Sequence, residues 1–164
     1  MDQKTIDTYN KMAKEYDDET SDFWERFPKT FINKFTELTK GKILDVGSGP
    51  GRDGLLLKES GLEVVCMDAS ESMVALSKQK GLESVVGDFG SLPFADKSFG
   101  GVWAYTSLLH IPKSEIYKAI QEIRRVLKDD GIFGLGLIEG DSEEYRESAG
   151  VNMQDYFHII QKMK

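Results

Sequence analysis

Three acidic residues stand where three apolar runs end. Asp45 follows Ile43 and Leu44 and precedes Gly47, Gly49 and Gly51; Asp68 closes the run VVCM; Asp88 comes directly after SVVG. Glycines at the end of a strand let the backbone approach a ligand and offer N–H groups to a phosphate at a helix start. The carboxylates argue against that ligand. Three of them around one crevice would repel the pyrophosphate of a dinucleotide or the phosphates of ATP. A dinucleotide site would also want the third glycine of G-x-G-x-x-G where Arg52 stands. These residue types favour a ligand rich in hydroxyls, amines or positive charge, bearing at most one carboxylate.

Periodicity predicts the elements that carry these residues. Lys42–Val46 reads as a short buried strand and Arg52–Ser60 as a helix stopped by Gly61. Glu63–Asp68 is the next strand, Glu71–Lys80 the next helix with Ser70 as its N-cap, and Ser84–Gly87 a third strand. Phe99–Thr106 is strand-like. Ser114–Leu127 is a helix with Ile116, Ile120, Ile123 and Leu127 on one face, and Gly131–Ile138 is a glycine-interrupted strand. This alternation calls for an α/β fold, a Rossmann-like doubly wound and mostly parallel sheet with helices on both faces. Ligands of such sheets lie outside the C-terminal strand ends, where Asp45, Asp68 and Asp88 fall. Upstream, Ile6, Tyr9, Ala13 and Tyr16 recur at helical spacing, as do Phe23, Phe27, Phe31, Phe35 and Leu38, with Pro28 as a bend. Downstream, Met153, Tyr156, Phe157 and Ile160 form an apolar stripe beside a capping pair, Asn152 and Asp155, which reads as one helix. The expected organisation is one domain: a helical segment over residues 1–40, an α/β core over 41–140 and a helical tail over 141–164.

The chain has 164 residues, 40% hydrophobic and 30% charged, enough to bury a core as a single domain. Lysine and arginine total 21 against 28 acidic residues, a net charge of -7 that gives no general attraction to nucleic acid or an anionic membrane. A small-molecule partner is favoured. Cys66 is the single cysteine and sits in an apolar run, so it reads as a buried thiol. The first ten residues have no apolar core like that of a signal peptide, and no apolar run is long enough to span a bilayer. The expected location is cytoplasmic.

S-adenosylmethionine fits the ligand description, with a ribose diol, an adenine amino group, an ammonium, a sulfonium and one carboxylate. The motifs ILDVGSGPG, VVCMDASESMV, VVGDFGSLPFADKSF and EIRRVLKDDG, in this order, resemble class I S-adenosylmethionine-dependent methyltransferases, and among them the small-molecule group of ubiquinone and menaquinone methyltransferases. The resemblance implies a methionine-binding loop from Asp45 through Gly51, including Gly47, Ser48 and Gly49, with Asp45 near the ammonium. It implies that Asp68 accepts from the ribose diol, that Ala69 and Met73 lie against the adenosine, and that Asp88 and Phe89 meet the adenine. It places the stretch Trp103 to Ser107 as the floor under the transferred methyl group, with Tyr105 as the contact, and makes Tyr9 and Tyr16 part of an N-terminal lid. His110, in LLHIP, is a candidate base or a substrate-shaping residue.

Each reading has a competitor. Asp68 and Asp88 taken alone suit caps or turns, and Tyr9 and Tyr16 suit a core. The resembled pattern has an acidic residue where Gly100 stands, and it continues beyond its fifth strand into a helix and a hairpin that closes the sheet. A helical tail would leave that edge exposed and available for association with a second copy. It also admits an alternative to an enzyme: a non-catalytic cofactor-binding or assembly protein on a shortened fold.

Overall fold

The computed structural model describes residues 1–138 and, for the backbone, 156–162. Three helices come first: α1 (Gln3–Thr20), α2 (Phe23–Arg26) and α3 (Thr30–Leu38). Then follow β1 (Lys42–Val46), α4 (Arg52–Glu59), β2 (Glu63–Asp68), α5 (Glu71–Gln79), β3 (Glu83–Val86), β4 (Phe99–Tyr105), a 3-10 turn (Leu108–His110), α6 (Ile116–Val126), β5 (Leu127–Ile138) and β6 (Tyr156–Lys162). The sheet order is β3-β2-β1-β4-β5-β6, with β1 to β5 parallel and β6 antiparallel to β5. The order reverses between β1 and β4. Their C-terminal ends therefore diverge into a crevice.

Alternation along each strand sends side chains to opposite faces. Leu44, Val46, Val65, Met67, Val102 and Ala104 pack with Ile123 and Val126 of α6. Ile43, Val64, Cys66, Trp103 and Tyr105 pack on the other face with Ile32, Phe35 and Leu57. Asp45 shares the parity of Ile43 and so points under α4, into an otherwise apolar layer. Cys66 is buried there, as its sequence context predicts.

Three expectations need correction. The aromatic run expected as one bent helix is two, α2 and α3, because Phe27 before Pro28 is extended (φ -120°, ψ 148°), the conformation that a following proline favours. Residues 156–162 of the expected helical tail form β6, in register with Ile132–Ile138; the rest of the tail lies outside the described residues. The unpaired N–H and C=O groups of β5 offer a ladder that outweighs the helical spacing, so β5 is not the open edge expected for self-association. Gly100 is required by packing, because a Cβ there would collide with the backbone carbonyl of Lys40.

Helix α1 lies across the strand ends, yet Ala13 is the buried residue it contributes. It is held by polar contacts: Asn10 Oδ1 accepts from Ser70 Oγ at 2.7 Å and Ser72 N at 3.2 Å, and Lys80 donates to Asp17 at 2.5 Å. Little apolar burial implies a low free energy of local opening. Amide hydrogen exchange is expected to show Tyr9–Tyr16 exchanging faster than Ile43–Val46 in the unliganded protein and slowing with S-adenosylhomocysteine. Equal protection without ligand would make α1 a fixed part of the core.

Candidate functional site

The turn after β1 is tied to β2. Gly47 N and Ser48 N donate to Met67 O at 2.7 and 3.0 Å, and Asp68 reaches back so that Oδ2 accepts from Gly49 N at 2.9 Å. Its Oδ1 accepts from Ser70 N at 2.8 Å, at the start of α5, where Ser70 Oγ caps Met73 N. A carboxylate has about four lone-pair positions, so each Asp68 oxygen keeps capacity for another donor. At Gly47 there is no room for a side chain: a Cβ would meet Ser107, and Phe89 Cζ at 2.9 Å. Loop, β4 end and the segment after β3 thus close on one point.

The cavity at this point is lined by Tyr9, Tyr16, Asp45, Gly47, Ser48, Gly49, Asp68, Met73, Phe89, Tyr105 and His110. Three expected residues stand apart from it. Gly51, at φ 85°, caps α4, and a Cβ there would meet Leu82 at 2.5 Å and Ser77 Oγ at 2.7 Å, so its lack of a side chain serves packing of α4 on α5. Ala69 is absent from the cavity wall. Asp88 lines an adjoining cavity that shares Met1 and Phe89, and its Oδ2 lies 2.6 Å from the Met1 amino group. Burial pushes the Asp88 carboxyl up, but the Met1 ammonium and the Gly90 N–H outweigh it and hold it low.

Electrostatics divide the main cavity in two. At the loop end, Asp45 is 2% exposed and its Oδ2 has no hydrogen-bond partner among the described residues. Burial and then the neighbouring Asp53 push its carboxyl well above the usual range, against the pull of Arg52. Asp53 accepts from the indoles of Trp24 and Trp103 at 2.8 and 2.9 Å and from Arg52 Nε at 2.6 Å. At the other end, Tyr9 Oη lies 3.0 Å from His110 Nε2, with the rings edge to face. Burial holds the imidazole below its usual range and, with Tyr16 and Asp68, raises the Tyr9 phenol. Both groups are therefore neutral near pH 7, and an imidazole with a free Nε2 lone pair accepts from the phenol. Thr106, between the two ends, adopts a left-handed backbone (φ 52°) while its N–H donates to Gly136 O.

Thr106 and Ser107 also line the cavity, within the stretch that the resemblance takes as its floor; Arg52 and Asp53 line it too, and sequence reasoning singled out neither as a site residue. The signal for Arg52 and Asp53 was their place directly after the glycine loop. Nothing local linked Asp53 to tryptophans 29 and 50 residues away. Among the described residues, no group of acidic, histidine or cysteine side chains is arranged to hold a metal ion, and no helix is long and apolar enough to cross a membrane.

Residues 44–135 match the family described as a methyltransferase domain. An uncharacterized methyltransferase of Staphylococcus carnosus is 27% identical over 97% of this chain and 81% of its own length. A demethylmenaquinone methyltransferase of Renibacterium salmoninarum is 35% identical over 55% of this chain, which spans 38% of that relative. A solved SAM-dependent methyltransferase of Methanosarcina mazei superimposes with a TM-score of 0.60 and 26% identity, covering 67% of this chain and 57% of that one. Matched residues, sheet order and strand-end carboxylates agree: the chain belongs to the methyltransferase domain family and has the Rossmann-like fold of S-adenosylmethionine-dependent methyltransferases.

Proposed function

We propose that the protein transfers the sulfonium methyl group of S-adenosylmethionine to a small-molecule acceptor. The observation that carries this reading is the donor and acceptor pattern of one cavity. Asp45 presents an orphaned buried oxygen suited to an ammonium, and Asp68 keeps lone pairs suited to a diol. Met73 and Phe89 supply apolar surface between strand ends, and the carboxylates of Asp45, Asp53 and Asp68 disfavour a pyrophosphate. Asp88 stands in the adjoining cavity, where an adenine amino group reaching it would displace the Met1 amino group.

When bound, the cofactor supplies an electrophilic methyl carbon whose bond to sulfur breaks as the acceptor's lone pair attacks. The protein's part is alignment and exclusion of water. Tyr105 and Ser107 form the floor, and α1 covers the cavity with Tyr9 and Tyr16. Where the attacking atom carries a proton, Tyr9 and His110 can hold it: the proton passes to Tyr9 Oη as the phenol proton moves to His110 Nε2.

The test is turnover. Purified protein with S-adenosylmethionine and a panel of phenol, catechol, amine and thiol acceptors is expected to form S-adenosylhomocysteine with at least one class. Binding of S-adenosylhomocysteine without turnover of any acceptor would favour the non-catalytic alternative. Thermal stabilisation by NAD alone would refute both.

A further inference from the structure

The motif EIRRVLKDDG joins α6 to β5, and none of its residues lines either of the cavities described above. Its Arg125 instead serves the connection between β3 and β4, residues 87–98, which carries Asp88 and Phe89 past β2 and β1 without a helix of its own. Such a connection must find partners for its backbone groups elsewhere. Arg125 Nη2 donates to Leu92 O at 2.9 Å and Nη1 to Phe94 O at 2.8 Å, while the Arg125 backbone carbonyl accepts from Lys97 N at 2.9 Å. Glu122, one turn earlier on α6, accepts from Leu92 N at 2.8 Å. Both backbone polar groups of Leu92 are thus held by α6.

The grip is rigid for two reasons. A guanidinium carries five N–H donors in a planar fork, and each is used here: Nε and Nη2 meet the two Glu122 oxygens at 2.8 Å, and Nη1 also reaches Asp96 Oδ1 at 2.8 Å. Helix α6 is itself fixed, with Ala119, Ile123 and Val126 buried. The contacts differ in weight. Asp96 is 74% exposed, so its ion pair contributes little; the bonds to Leu92 and Phe94 fix backbone. At the strand end, Gly87 N donates to Asp68 O at 3.0 Å. Asp88 and Phe89 lie between these two attachments, in a turn closed by Ser91 N on Asp88 O at 3.1 Å and Gly90 N on Asp88 Oδ1 at 2.7 Å. Releasing the attachment at Leu92 leaves that turn free to pivot about Gly87.

We propose that Arg125, seated on Glu122, is a positioning residue for base selectivity: by holding Leu92 and Phe94 it sets where the Asp88 carboxylate and the Phe89 ring stand. The inference rests on the reading that the cavity takes S-adenosylmethionine with its adenine amino group at Asp88. Arg125 acts only through the backbone it supports, and a carboxylate displaced even slightly from an amino group loses the geometry that distinguishes it from an oxo group.

Calorimetry with two probes tests this: S-adenosylhomocysteine and S-inosylhomocysteine, in which an oxo group replaces the adenine amino group. The wild-type protein is expected to prefer the adenine ligand by about 10- to 100-fold, the range of a charge-assisted hydrogen bond. In Arg125→Met that preference is expected to shrink at least about threefold. A merely structural role would not move this ratio, because partial unfolding lowers apparent affinity for both ligands by the same factor. In an Asp88→Ala background, adding Arg125→Met is expected to leave the ratio unchanged, since the group it positions is gone. A wild-type preference in Arg125→Met, or an equal shift with and without Asp88, would overturn the inference. Should Arg125→Met fail to fold, Arg125→Lys decides. It keeps a cation for Glu122 but cannot present the fork to both carbonyls, so a reduced preference supports the positioning role and an unchanged one refutes it. Wild-type protein that binds both ligands equally would sink the reading of Asp88 and the inference with it, whereas protein that binds neither would sink the underlying reading of the cavity.

Discussion

Replacing Asp68 by alanine is expected to weaken binding of S-adenosylhomocysteine by about 3 kcal/mol, roughly a hundredfold, with the protein still folded. Two effects combine. On the proposed reading a ribose diol loses a charged acceptor, and the Gly49 and Ser70 amides lose the oxygens that hold the glycine turn against the start of α5. Asp68→Asn separates them. The amide keeps one acceptor oxygen and the side-chain shape, so the turn is partly retained while the charge is lost, and an intermediate affinity is expected. Calorimetry on the folded variants is the measurement, and an Asp68→Ala protein with wild-type affinity would remove Asp68 from the site.

Two buried aspartates are expected to respond to mutation with opposite signs. Asp53→Ala removes the acceptor of two indole N–H groups and of Arg52 Nε, leaving a buried guanidinium uncompensated. The expected loss is about 3–5 kcal/mol of unfolding free energy, the size found when one partner of a buried pair is deleted. Asp45 is the contrary case, because burial and the neighbouring Asp53 raise its carboxyl well above the usual range. The folded protein therefore holds a proton there more tightly than the unfolded chain does. The resulting stability is fully present below the unfolded-state value and is lost as pH rises through the raised folded-state value. Asp45→Asn removes that penalty. Denaturant unfolding of the unliganded protein is expected to show it about 1–3 kcal/mol more stable than wild type at neutral pH, with the gap closing in acid. Stabilisation that does not vary with pH would contradict the assignment of the penalty to Asp45 ionisation. The same variant is expected to bind S-adenosylhomocysteine more weakly, so the native carboxylate costs the empty protein stability that the ligand restores.

The sequence by itself determined the five parallel strands, the helices between them and the strand-end places of Asp45, Asp68 and Asp88. These follow from short-range rules: side-chain alternation in strands, apolar stripes in helices, and caps or glycine stops within a turn of the residues they affect. Only the tertiary structure decided which of those residues share a cavity. Gly51 resembles its neighbours in the loop, but its freedom from a side chain is used against Ser77 and Leu82, because α4 docks on α5 there. Asp53 becomes the anchor of Trp24, Trp103 and Arg52 through contacts that no local spacing encodes. Residues 156–162 carry a helical pattern yet pair with β5 as β6. An open strand edge supplies a full row of partners for backbone groups, and that energy comes from a segment about 25 residues away, beyond the reach of any local rule.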